Sequence, residues 1–287
     1  MDYHCYADDI QLYVSFTPNQ EDAIRTLGKL EACVHDVRQW MSSNSLKLND
    51  DKSQFLCFGS KAHLNKLNLP SLKIGDVTIP LSESCRNLGV IFDPSLSMSS
   101  HISSVCRSAR YYLRNLGVIR RYLTRSATEK IVHAFISSRF DFGNALLFQL
   151  PQIQLTRLQR LQNAAARIIT LTKKKDHITP VLYSLHWLPI ESRIIFKLLL
   201  LVFHCVHGSA PEYNVNLIKP YNPPRRLRSS NTGLIVVPKV STNWGDRSFA
   251  HAGPFLWNEL PVHLRNTPNL ETFKTNLKSY LFILAFD

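Results

Sequence analysis

The residues best able to do chemistry stand at the start of the chain, Tyr6-Ala7-Asp8-Asp9. Two adjacent carboxylates repel each other unless a cation neutralises them. Hard divalent ions such as Mg²⁺ take carboxylate oxygens, and a pair of such ions stabilises the attacking and leaving oxygens of a phosphoryl transfer. Turns also favour Asp for conformational reasons, so the dipeptide alone leaves a metal site and a solvated turn both open. A second set of ligand-type residues, His204, Cys205 and His207, lies inside an apolar helical run, where core and partly buried histidines are the favoured reading over a metal site. The six cysteines, at 5, 33, 57, 85, 106 and 205, form no CxxC pair, which excludes a zinc knuckle or redox motif, so no structural zinc is expected. Scattered single cysteines without a signal peptide point to a reducing compartment.

The charge of the 287-residue chain is informative. Lys and Arg number 34 against 21 Asp and Glu, a net +13, and the excess is concentrated. Residues 1–100 hold 9 basic and 12 acidic side chains, whereas residues 101–175 hold 14 basic and only 2 acidic. A local field of that kind suits a polyanion, nucleic acid or an anionic membrane surface, with a merely solvated basic face as the alternative. The longest apolar stretch, Ile194 to Val206, is interrupted by Lys197 and falls short of the roughly 20 residues that span a bilayer, so no membrane protein is expected. With 45% hydrophobic and 10% aromatic residues the chain should fold, at a length suited to about two domains.

The elements that must position these residues can be read from periodicity. Tyr3 to Tyr6, the turn Ala7-Asp8-Asp9, and alternating Ile10, Leu12, Val14 and Phe16 predict a hairpin. Asn19 followed by Asp22 predicts a helix start, with Ile24, Leu27, Leu30, Val34, Val37 and Met41 at helical spacing to about 41. Strands are predicted at Leu46–Leu48, Phe55–Phe58, Lys73-Ile74 turning at Gly75-Asp76 into Val77–Ile79, and Leu88–Phe92. Residues 1–95 therefore read as α+β.

From 99 to 174 the pattern becomes helical: about 100–116, a helix opening on a capping box at Ser126–Glu129 and running toward Phe148, and about 152–171. Arg107, Arg110 and Arg114 share one face of the first, Arg157, Arg160 and Arg167 recur on the third, and Lys173-Lys174-Lys175 follow. Residues 176–287 predict a helix over 191–207 stopped by Gly208, a basic loop Pro223–Arg228, and a last helix after Thr267 with Pro268 at its first position.

In these surroundings HCYADDIQLYVSF at 4–16 resembles the catalytic hairpin of reverse transcriptases from non-LTR (LINE-type, Jockey-like) retrotransposons. The likeness continues in order through WMSSNSLKLNDDKSQFLCFGS at 40–60, CRNLGVIFD at 85–93, the helices of 99–175, LHWLPI at 185–190, RRLRSS at 225–230 and GDRSFAHAGPFLWNELPVHLR at 245–265. The resemblance implies an α+β chain: the back half of a right-hand polymerase palm (1–95), a basic helical thumb (96–175) and a mixed, mostly α C-terminal region (176–287).

It also implies roles. Asp8 would ligate catalytic Mg²⁺ with Asp9 in close support, Tyr6 and Ala7 would lie beneath the primer terminus, and Lys52 would meet the incoming deoxynucleotide triphosphate unless it is an ordinary surface lysine. Leu88, Gly89 and Val90 would touch the primer. Arg107, Arg110, Arg114, Arg120, Arg121 and Lys173, Lys174 and Lys175 would track phosphates of the RNA template and DNA primer. A nuclear site, or more broadly a nuclear or cytoplasmic ribonucleoprotein, is implied by the family alone.

The resemblance also implies a further metal-binding aspartate on an earlier palm strand and a fingers region; no counterpart of either is expected among these residues, since Asp2 cannot serve. The two-metal site is incomplete as written, and the isolated chain is expected not to extend a primer. Three readings follow: a polymerase fragment, a non-enzymatic nucleic-acid-binding module, and a helical protein with no retained function.

Overall fold

In the computed structural model, residues 1–75, 77–221 and 232–287 are described. The basic loop Pro223–Arg228, the RRLRSS stretch and one residue of the Gly75-Asp76 turn lie outside them. The chain is mixed helix and strand and divides into two compact units, Met1–His101 and Ile102–Asp287.

In the first unit, strand β1 (Asp2–Tyr6) pairs antiparallel with β2 (Asp9–Tyr13), Tyr6 opposite Asp9 and Tyr3 opposite Leu12. The Gln20–Ser43 helix starts as its sequence predicts: Asn19 accepts from the Asp22 amide at 2.8 Å, and the Asp22 carboxylate accepts from the Thr17 amide at 2.7 Å. Its Leu27 and Val34 pack on Leu72 of β3 (Leu72–Ile74), Ile74, and Ile79 of β4 (Val77–Ile79), with Leu12, Leu30, Leu48 and Phe55 around them.

The described strands form three separate antiparallel pairs, the third being β5 (Cys85–Asn87) with β6 (Val90–Phe92). Three expected strands differ. After the helix, Ser45 turns to φ 59° and the Leu46 amide returns to Met41 O, so 46–48 cannot join a ladder there, although Leu48 still packs on the core. Phe55 makes only an isolated bridge to Leu81. Leu88 and Gly89, expected in a strand, form the β5–β6 turn with φ 45° and 86°, the left-handed pair that a two-residue hairpin of type I′ requires.

The second unit is helical. Its helices include Ser99–Ile119 (which begins at the end of the first unit), Arg125–Val132, Gln152–Thr170, Ile190–Val206, Phe249–Glu259 and Leu270–Phe286. Its core joins Leu199, Val202 and Phe203 to Trp257, Leu264, Phe273, Leu277 and Leu281. Gly253 allows the close approach, because a Cβ there would come 2.8 Å from Val202 Cγ2. Trp257 Nε1 donates to Gly233 O at 2.9 Å, and Asn258 both donates to and accepts from the Ile235 backbone. The WNELP stretch is thus a packing device.

The boundary expected near 175 falls inside this unit. Buried Gln162 donates to Leu188 O, Gln159 accepts from the Ile190 amide, and Arg193 pairs with Asp141, so the segments on either side of it share their polar contacts. The second helix is capped by Thr124, two residues before the expected Ser126, because its hydroxyl reaches the Ala127 amide. That helix widens into a π-helical turn at His133–Ser137, and its Ser138–Asp141 continuation stops before Gly143, at φ 63°. The last helix is capped by Asn269, which accepts from the Thr272 amide, leaving Pro268 outside it.

Candidate nucleic-acid interface

The β1–β2 register leaves Ala7 and Asp8 as the two-residue loop and makes Asp9 the first residue of β2. Ala7 adopts φ 53°, a left-handed conformation costing a non-glycine residue about 1 kcal/mol. Asp8 and Asp9 are both exposed. Cross-strand partners share a face, so Asp9 lies with Tyr6, His4 and Gln11. From that face Gln11 Nε2 donates to Asn87 Oδ1 at 2.9 Å. Asn87 immediately precedes the Leu88-Gly89 turn, so one hydrogen bond links the two hairpins that the sequence marks as functional.

Below the second hairpin, the Asp93 carboxylate gathers the Ser97 and Met98 amides and the Ser95 and Ser97 hydroxyls. Burial pushes its pKa up, but these donors outweigh it and hold the group below the usual carboxylate range. His101 Nδ1 accepts from the Ile91 amide of β6 at 3.4 Å, and burial, then Arg86, lowers its pKa.

Lys52 is exposed on the short Asp50–Lys52 turn, which is tied to the preceding helix by the Arg38–Asp50 ion pair. Among the described residues no hydrogen bond or ion pair joins Lys52 to Asp8 or Asp9. The two aspartates offer hard oxygen donors of the type Mg²⁺ takes. No group of three or more His, Cys, Asp or Glu side chains suited to a metal occurs among the described residues. Among the described residues the hairpin's two carboxylates fall short of the donor set that a two-metal site takes. His204 and His207 are otherwise engaged: His207 stacks on Phe203 at 3.8 Å and contacts Phe203 O, and His204 Nδ1 lies 2.8 Å from Ser209 Oγ. Burial pushes the Cys205 thiol up.

The basic residues divide by placement. Arg107, Arg110, Arg114 and Arg121 are exposed, as are Lys173, Lys174 and Lys175. The lysines sit on a turn held by Arg167, which donates to Lys173 O and Asp176 O, and by the Asp176 carboxylate, which accepts from the Lys173 amide. Arg120 is different. It is half-buried and donates to Ile168 O, Leu123 O and Ile169 O at 2.8, 2.7 and 2.9 Å, anchoring the C-terminal end of the Gln152–Thr170 helix. Sequence spacing gave no sign of this, nor of the ring contacts that Tyr111 and Tyr112 make beside the arginines; the Tyr-Tyr pair within an arginine-rich helix was the available signal.

No helix among the described residues is long and apolar enough to cross a membrane. No protein-family model and no solved structure matches the chain. It is 25% identical over 137 residues to the Drosophila melanogaster protein named "Probable RNA-directed DNA polymerase from transposon X-element". The match covers 46% of this chain and 14% of that protein, so this chain spans only a small part of its relative. The similarity supports a reverse-transcriptase-like relationship for the matched part.

Proposed function

We propose that the chain derives from the RNA-directed DNA polymerase of a non-LTR, Jockey-like retrotransposon and that its own residues bind nucleic acid. Residues 1–95 correspond in this reading to palm, 96–175 to thumb and 176–287 to the C-terminal region, with RNA template and DNA primer as partners. The observation that carries the binding function is the set of exposed cations on one segment: Arg107, Arg110, Arg114, Arg121 and the Lys173–Lys175 run, where 14 basic side chains face 2 acidic ones between 101 and 175. Side chains on one helix face and one turn can follow a phosphate backbone without reading bases.

A labelled primer–template duplex titrated against the full chain tests this. If 6–10 phosphates are neutralised, affinity falls about 10³–10⁵-fold between 50 and 200 mM salt. A flat salt response would remove the proposal.

Polymerisation is the second reading, favoured by the Asp8-Asp9 hairpin and its tie to the Leu88-Gly89 hairpin. In that reading Mg²⁺ and deoxynucleotide triphosphates join the partners, and Lys52 faces the triphosphate. We expect no primer extension by the chain alone, because it brings only two carboxylates to the hairpin. Mg²⁺-dependent incorporation that is lost in Asp8→Ala would establish the polymerase reading instead.

A further inference from the structure

The Ser99–Ile119 helix buries Ile102, Cys106, Ala109, Leu113 and Leu116. At 100° per residue its opposite face carries Arg107, Tyr111, Arg114 and Val118. Tyr111 keeps 63% of its surface exposed and stands at the end of a row of rings. It meets Tyr112 edge-on at 5.4 Å between centroids, and Tyr112 stacks on Phe135 at 5.3 Å and 24°. Phe135 is itself 46% exposed, and the Arg139 guanidinium lies over the Tyr112 ring, 4.6 Å from its centroid. The π-helical turn His133–Ser137 brings Phe135 to this surface, and an Arg139 Nε–Phe135 O bond of 3.0 Å fixes the arginine over the rings. Widened turns of this kind occur often at functional sites.

Exposed rings and guanidinium groups match the two parts of an unpaired nucleotide. Its phosphate is attracted to Arg107 and Arg114, and its base presents a π face to an aromatic ring or an arginine plane. A duplex hides those faces in its own stack and can use only the arginines. We propose that Tyr111, Tyr112 and Phe135, flanked by Arg107, Arg114 and Arg139, form a stacking platform for single-stranded nucleic acid. The inference rests on the nucleic-acid-binding reading above and adds the form of the ligand, a strand with splayed bases.

The test uses the full chain with labelled oligo(U), oligo(dT) and a blunt duplex of equal length, followed by fluorescence anisotropy. Tyr111→Ala and Phe135→Ala should each weaken single-strand binding about 5- to 150-fold with the salt dependence unchanged. Tyr111→Phe, which keeps the ring, should bind like the parent, and duplex binding should not respond. An effect confined to oligo(U) assigns the platform to RNA, and one confined to oligo(dT) assigns it to DNA. Tyr111 is exposed, so its pair of variants carries the test even if Phe135→Ala perturbs folding, which a thermal melt will show. Salt-dependent binding that ignores both alanine changes would overturn the platform and leave the basic surface standing. Absence of salt-dependent binding to any of the three would overturn both.

Discussion

Two neighbouring arginines, Arg120 and Arg121, carry the same charge and are held in different ways. Arg120 donates to three backbone carbonyls, two of them at the end of the Gln152–Thr170 helix, where acceptors lack intrahelical partners. Arg121 is exposed, its guanidinium 4.8 Å from the centroid of the Tyr122 ring. Arg120→Ala should therefore lower unfolding free energy by about 2–3 kcal/mol. Arg121→Ala should change it by no more than about 0.5 kcal/mol while weakening nucleic-acid binding. Urea melts beside anisotropy titrations separate the two, and equal stability of both variants would contradict the assignment. Asp93 and His101 make a second residue-scale argument, in pH. The folded pKa of His101 is depressed, so the unfolded chain binds its proton first, and this contribution to stability is complete above pH ~6.5 and shrinks as pH falls. Asp93 is also depressed, so its contribution persists above pH ~4 and is lost below, as pH falls through the folded value. Urea midpoints should decline in two stages on acidification. Asp93→Asn should shrink the lower stage, which is shared by Asp22, held below the usual carboxylate range by the Thr17 amide and then Arg25. His101→Phe should remove the upper; a variant that leaves its stage unchanged would break the corresponding link.

At the scale of elements, the helices were legible and the strands only partly so. Helical spacing survives tertiary context because one buried stripe, such as Leu155, Leu158, Leu161 and Ala165, repeats over several turns. The short β runs carry too few residues to announce whether they pair. Leu46–Leu48 supplies a core side chain without a ladder, and Leu88-Gly89 reads as strand yet turns, because positive φ at Leu88 is not written in its residue type. The hairpin bearing Asp8 and Asp9 was legible as a hairpin but not in its register: Asp9, read as part of the turn, pairs with Tyr6 as the first residue of β2, and β2 ends at Tyr13, short of Phe16. An isolated two-stranded hairpin is marginal in water, so the contacts of Leu12 and Gln11 with the rest of the first unit matter to it. Gln11→Ala removes the bond to Asn87 at a cost of about 0.5–1.5 kcal/mol. Amide exchange should quicken across Asp2–Tyr13 and Cys85–Phe92, with the Gln152–Thr170 helix unaffected. Unchanged exchange in both hairpins would show that Gln11 is not what joins them.

At the scale of the whole molecule, charge follows the division into units. The first 100 residues are slightly acidic, and the surplus cations lie on 101–175 in the second unit. The composition displayed that asymmetry, and the YADD run displayed a candidate carboxylate pair. Neither could say which cations were already committed to carbonyls, since Arg120 and Arg121 are indistinguishable until the fold brings Ile168 and Ile169 to one of them. Arg167 likewise serves the lysine turn through Lys173 O and Asp176 O. The cations open to a polyanion are therefore fewer than a count of basic residues suggests, and the salt slope should count the exposed ones. Each phosphate contact contributes about 0.9 to the slope of log affinity against log salt on duplex DNA. Replacing Arg107, Arg110 and Arg114 together by Gln should flatten that slope by roughly 2–3 if all three meet phosphates. Replacing Lys52, Lys61 and Lys66, exposed on the first unit, should leave it unchanged. An equal loss from the two triple variants would mean that binding follows net charge rather than the Ser99–Ile119 surface, because a diffuse field responds to the number of charges and a docked backbone to their place.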